Sequence, residues 1–194
     1  MPCSFPALCL FVLTLVSAVP HQPSFHSGDV VLQTSRSQLS LPIREATHSP
    51  WSHTGLIEVT EDGVFVIEAI QPVSRTPWAP WRARGVDGKV KVLRLKTLDA
   101  AAAAKSVEWA RTMLGRPYDS RYGWDDESLY CSELVVKALE HGSGVRVGHF
   151  DRLDALDLSK QSRAMAAKLE VPLSTEVVTP AALDQDAHFE EVTW

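Results

Sequence analysis

The chain has 194 residues, 45% of them apolar, with 24 acidic against 19 basic side chains and a net charge of −5. That size and apolar fraction suffice for one domain with its own core and are thin for two. No Lys/Arg run interrupts the polar segments as a phosphate-binding surface requires, so nucleic acid is not an expected partner.

The N-terminus carries a short apolar run from Leu8 to Val16 that closes on Val16-Ser17-Ala18, small residues that suit signal peptidase. No Lys or Arg precedes the run, and it is too short to cross a hydrocarbon core of about 30 Å as a helix. The expectation is a signal peptide over residues 1–18, an exported (periplasmic or secreted) product, and a single catalytic domain over residues 19–194. Cys3 and Cys9 would leave with the signal, and Cys131 would then be alone. In an oxidising compartment a lone cysteine has no intramolecular disulfide partner, so it is either a small buried hydrophobe or a thiol kept for chemistry.

From Gly28 to Leu95, β-rich runs alternate with turn signals: Asp29–Gln33, Thr54–Val59, Val64–Ile70 and Val90–Leu95. This half reads as a small antiparallel sheet or barrel. Glu61-Asp62-Gly63 puts an Asp-Gly pair between the second and third runs, which predicts a hairpin. From Leu98 to Leu114, five alanines (Ala100 to Ala104) with Val107, Ala110 and Leu114 at helical spacing predict an amphipathic helix with Gly115 as its C-cap. A loop without period runs from Arg116 through Glu127 to Ser128, an expected N-cap. The following helix, about Leu129 to His141, aligns Cys131, Leu134, Val135, Ala138 and Leu139 on one face, so Cys131 heads a core-facing stripe. Beyond Gly142 the pattern gives a helix around Ser159 to Leu169, a break at Pro172, and Thr179-Pro180 as N-cap and first position of a short terminal helix.

A thiol becomes a good nucleophile when it ionises, and the first turn of a helix favours the anion through its unpaired N–H groups and macrodipole. Cys131 sits in such a turn, but Asp125, Asp126 and Glu127 just upstream would oppose a thiolate, so a cationic partner is required. Among the seven histidines, His53 stands out because it begins the second β-run. Glu68 lies on the third run in an otherwise apolar stretch, where a carboxylate needs a partner. If Val59 pairs with Val64, His53 lies opposite Ile70 and Glu68 opposite Gly55, with both side chains on one face and in diagonal contact. A one-residue slip would put them on opposite faces. Cys131, His53 and Glu68 could then act as nucleophile, general base and orienting carboxylate; the alternatives are Cys131 as core filler and Glu68 as a structural hydrogen-bonding group. A zinc site from His48, His53 and Cys131 is a weaker alternative, since paired ligand spacing is missing, and no cofactor is expected. Trp78 and Trp81 either line a substrate groove or pack over the sheet.

Several segments together resemble the YiiX/YaeF-type permuted papain-like enzymes of the broad NlpC-type superfamily of cell-wall peptidases. The carriers are Gly28-Asp29, the stretch from Ala46 to Gly55, Val66-Ile67-Glu68-Ala69, Gly115-Arg116-Pro117-Tyr118-Asp119, and Tyr130-Cys131-Ser132-Glu133-Leu134. The resemblance implies an α+β, circularly permuted papain-like fold, a small antiparallel sheet or barrel packed against helices, in which the histidine and third polar residue precede the cysteine. His53, Glu68 and Cys131 occupy that order. It also draws Tyr118 to the site, either as a hydroxyl donor to a developing oxyanion alongside the Cys131 N–H or as a core tyrosine. The implied activity is amide hydrolysis through a thioester, on a peptide or cell-wall stem peptide. A lipid-directed acyl hydrolase or acyltransferase with the same Cys-His chemistry, and a noncatalytic binding module, are the other readings.

Overall fold

The computed structural model describes Met1 and residues 24–193. The rest of the signal-like segment, with Cys3 and Cys9, lies outside the described residues. In chain order the elements are β1 (Val30–Gln33), α1 (Ser40–Thr47), β2 (His53–Thr60), β3 (Gly63–Glu68), β4 (Ser74–Pro77), α2 (Trp78–Arg84) and β5 (Val90–Leu95). They continue as α3 (Ala100–Thr112), α4 (Cys131–Ser143), β6 (Phe150–Arg152), α5 (Lys160–Lys168), β7 (Glu176–Val178), α6 (Pro180–Asp184) and β8 (Phe189–Glu191).

Asp62-Gly63 turns β2 back onto β3 in the register that the turn predicts, Val59 opposite Val64 and Leu56 opposite Ile67. The antiparallel sheet runs β4-β3-β2-β1-β5-β8, open rather than barrel-like, and β6 and β7 form a separate ribbon. Alternation along the strands sorts the apolar residues between two layers. Val30, Leu32, Leu56 and Ile67 pack under α3 and α4 against Val107, Ala110, Leu134 and Leu139. Val31, Ile57, Val66 and Val92 face the other way, onto Phe25 and Trp81. With both faces covered, the strands read as near-continuous apolar runs instead of alternating ones. One carboxylate is buried within the helix-side layer: Glu58 accepts from Arg75 of β4 and Arg111 of α3 and ties helix to sheet.

Helix ends depart from the sequence pattern for local reasons. The α3 helix begins after Asp99, whose Oδ1 accepts the Ala102 N–H at 2.8 Å. Gly115 lies beyond its end and is not the C-cap; it donates its N–H to the Val73 carbonyl at 3.0 Å. Ser128 does not cap α4 either: Leu129 is bridged to the Tyr118 segment, so the helix starts only at Cys131 and Tyr130 takes the N-cap position. Thr179 and Pro180 do start the short α6, with Thr179 Oγ1 accepting the Ala182 N–H at 3.1 Å.

Gly142 is inside α4, and Gly144, at φ 74°, ends it. A Cβ at Gly142 would stand 2.3 Å from the Ala102 carbonyl oxygen and 2.7 Å from the Ser106 nitrogen, both backbone atoms of α3. The close crossing of α3 and α4 therefore depends on a glycine. In an open helix Gly→Ala gains up to about 1 kcal/mol. Here overpacking outweighs that gain, and Gly142→Ala is expected to lower the unfolding free energy by about 2 kcal/mol, as urea denaturation would measure. A stabilised variant would show that the helices separate without cost.

Candidate active site

The start of α4 is fixed from several sides. The Leu129 N–H bonds to the Pro117 carbonyl and the Asp119 N–H to the Leu129 carbonyl, each at 3.1 Å, so the Tyr118 segment runs alongside the chain entering the helix. The Tyr130 hydroxyl accepts the Val178 N–H at 3.2 Å, and Glu133 Oε2 reaches back to the Tyr130 N–H at 3.2 Å, half of a capping box. Cys131 becomes the first helical residue, where its own N–H has no intrahelical acceptor. The acidic run upstream is turned aside: Lys137 Nζ holds the Asp126 carboxylate at 2.9 Å and the Asp125 carbonyl at 2.6 Å.

On the sheet, His53 at the start of β2 and Glu68 at the end of β3 share the face that packs on Trp81. His53 Nε2 meets Glu68 Oε2 at 2.6 Å. The diagonal reach works because Gly55 lies between them in the register: a Cβ there would stand 3.3 Å from the Glu68 Cβ and 2.4 Å from a Val66 methyl. Glu68 is fully buried and satisfied by four donors. Oε2 accepts from His53 and from Trp81 Nε1 at 3.0 Å; Oε1 accepts from Thr76 Oγ1 at 2.6 Å and from Arg84. Since Glu68 occupies Nε2, the remaining ring nitrogen, Nδ1, is left for the Cys131 thiol, which lies close enough to shift the titration of the ring.

Burial by itself would lower the pKa of His53, but hydrogen bonds and charges of Cys131 and Glu68 outweigh it and raise the ring from 6.5 to about 9. Burial likewise opposes the thiolate of Cys131. His53, the Ser132 hydroxyl and the Thr54 N–H overcome it and hold the thiol below its ordinary value. Glu68 is also held low against its burial, by His53, Thr76 and Arg84. All three shifts favour the charged forms, a thiolate beside an imidazolium that rests on a carboxylate.

Tyr118 lies next to Cys131. Burial, then the charge of Cys131, pushes its pKa well above the usual tyrosine value, so the hydroxyl keeps its proton for donation. Two hollows meet there, with Leu39, Ile43, Tyr118 and Cys131 common to both walls. One is a narrow cavity of about 110 Å³ lined mainly by apolar side chains, among them Pro42, Leu153, Leu156, Met165 and Val178. The other is a polar cleft of about 520 Å³ that reaches Gln33, Ser35, Arg36, Ser52, His53 and Arg84.

The structure decides two alternatives that the sequence left open, and the tryptophans take the second of theirs, packing over the sheet. The zinc set is not assembled: His48, in the left-handed C-cap position of α1, pairs with Asp157 at 3.3 Å on the surface, apart from His53 and Cys131. The two tryptophans line neither hollow. Trp81 is fully buried and stacked on Trp78 at 5.6 Å, and it serves Glu68 as a donor instead. The residues that sequence reasoning missed are the other donors, Thr76 and Arg84. Their only advance signal was the need of a buried carboxylate for partners.

A family model of permuted papain-like amidase enzymes, the YaeF/YiiX, C92 family, matches residues 24–193. The chain belongs to this family. A relative from Escherichia coli (strain K12), given as uncharacterized protein YiiX, is 38% identical over 184 residues, covering 90% of this chain and 89% of the relative. A solved structure described as metalloprotein yiiX from Escherichia coli O157:H7 superposes with a TM-score of 0.81 at 36% identity, over 89% of this chain and 97% of that one. The α+β architecture is thus that of the permuted papain-like family.

Iodoacetamide is expected to alkylate native Cys131 faster than a free cysteine peptide from about pH 6 to about pH 8, because the thiol titrates below its ordinary value. The advantage should change near pH 9, where His53 loses its proton. A rate no faster than the peptide's across that range contradicts the thiolate–imidazolium pair.

Proposed function

We propose that this chain is a thiol hydrolase that cleaves an amide bond through a thioester on Cys131. The observation that carries the reading is Cys131 at the start of a helix beside the hydrogen-bonded pair His53–Glu68, in a chain of the permuted papain-like amidase family. The Cys131 thiolate attacks the carbonyl carbon, and the oxyanion that forms faces the Cys131 N–H and the Tyr118 hydroxyl. The His53 imidazolium gives its proton to the leaving nitrogen as the C–N bond breaks. Neutral His53 then takes a proton from water, which attacks the thioester; a carboxylic acid departs and the thiolate–imidazolium pair is restored. Glu68 holds the ring and balances its charge throughout.

The apolar cavity that opens at Cys131 supports a second element of the reading, that the acyl half of the substrate is a hydrocarbon chain. A cell-wall stem peptide, the substrate that the wider superfamily suggests, would find few polar partners in that cavity. The sequence adds the signal-like N-terminus, and we propose that the reaction takes place outside the cytoplasm. The solved relative is described as a metalloprotein. Among the described residues no group of three or more His, Cys, Asp or Glu side chains is arranged to hold a metal, and both Glu68 oxygens and His53 Nε2 are already engaged. The donors present do not fit a metal centre, and no step is drawn through one.

Turnover of a panel of N-acyl amides, acyl esters and muropeptides tests the reading. Cys131→Ala should abolish activity while leaving the circular dichroism spectrum unchanged, and His53→Ala should cost a comparable factor, on the order of 10³ or more. Glu68→Gln should cost less, roughly 10²-fold, because it orients the base without touching substrate. Losses in double variants should be far from additive. Additive losses would contradict one catalytic unit, cleavage of esters alone would remove the amidase assignment, and an intact Cys131 variant with full activity would remove the site.

A further inference from the structure

The polar cleft beside Cys131 has a charge pattern that the reaction above does not use. Two guanidinium groups reach it from neighbouring segments. Arg84 comes from the end of α2, and Arg36 from the loop after β1. The segments are clasped together: the Val86 N–H bonds to the Thr34 carbonyl at 2.9 Å, and Arg36 Nη2 to the Gly85 carbonyl at 3.4 Å. No Asp or Glu side chain lines the cleft, in a chain whose net charge is −5. The nearby charges do not cancel. The Glu68 carboxylate and the thiolate are matched by the His53 imidazolium and Arg84, which leaves Arg36 as an excess cation at the rim. Among the described residues Arg36 has no carboxylate within ion-pair distance.

Gln33, 1% exposed, also borders the cleft, but its side-chain oxygen is packed against Gly85 and closed to solvent, so the polar contacts open to a ligand there are the two guanidinium groups. A compact anion on the leaving half of an amide would meet that pair.

We propose that this cleft is the leaving-group subsite and that it selects amides whose leaving half carries a compact anion, a carboxylate or a phosphate. The inference rests on the amidase reading for the direction of the substrate, with the acyl chain toward the apolar cavity and the anionic group of the leaving half toward Arg36 and Arg84. N-acyl amino acids and N-acyl phosphoethanolamines share this chemistry. In the reaction, water and the N-acyl anion give a fatty acid and the free amine, with the amine nitrogen taking its proton from His53.

Binding to the full-length Cys131→Ala protein tests the subsite without requiring turnover. Calorimetry with N-dodecanoylglycine and with its neutral counterpart N-dodecanoylglycinamide should show the acid binding roughly tenfold more tightly, and Arg36→Gln should bring that ratio close to one. N-dodecanoyl-O-phosphoethanolamine, measured alongside, identifies which anion is preferred. Equal affinities for the charged and neutral ligands, a ratio that survives Arg36→Gln, or no binding of any of the three would overturn the proposal. Hydrolysis of the same ligands by the Cys131 protein reads the amidase separately. A chain that binds the anions selectively and cleaves none keeps the subsite and loses the amidase.

Discussion

A carboxylate without solvent has to find all its hydrogen bonds inside the protein, and the arrangement around Glu68 is the solution to that demand. Each of its oxygens takes two donors, and the four donors come from β2, β4 and α2. Those elements converge on one spot because the charge at the end of β3 would otherwise be stranded. The stacked tryptophans, the placement of α2 against the sheet and the guanidinium of Arg84 all belong to this one polar centre in an apolar layer. Removing a donor leaves a buried charge short of partners, which is costlier than never having built the pair.

The chemistry of the site follows from that constraint. A ring clamped through Nε2 has one nitrogen left to offer and a carboxylate behind it that favours the protonated form. Cys131 meets that nitrogen from a different layer, at the first turn of α4, where the helix start favours the thiolate. Ring and thiol therefore come from segments far apart in the chain, and each is held for its own reason: the ring by its carboxylate, the thiol by Tyr130, Glu133 and the Tyr118 segment. The apolar cavity and the cleft that holds Arg36 and Arg84 both reach Cys131 and share Leu39, Ile43 and Tyr118 as walls.

Much of this was legible in the sequence, and the legible parts were those governed by local rules. Asp62-Gly63 between two β-runs set the hairpin register, and the register put His53 and Glu68 on one face. The stripe headed by Cys131 placed it at a helix start. What could not be read depends on distant contacts. Nothing in Ser74–Pro77 announces a strand whose Thr76 serves a carboxylate on its neighbour, and Trp78–Arg84 reads as an aromatic Pro-containing loop until Glu68 draws it in as a helix. The start of α4 differs for a similar reason, since Ser128 has the residue type of a cap but the next residue, Leu129, pairs with the distant Tyr118 segment before the helix begins. The set of His48, His53 and Cys131 failed because shared residue type carries no information about distance, and His48 is held at the surface by Asp157.

The central claim is that a buried carboxylate keeps His53 protonated beside an ionised Cys131 at neutral pH. The most direct measurement is the titration of the His53 ring nitrogens by NMR in the resting protein. The account predicts an imidazolium at pH 7 that titrates near 9, with the value falling in Cys131→Ala as the thiolate is lost. A His53 ring that titrates at or below its ordinary 6.5 would contradict it.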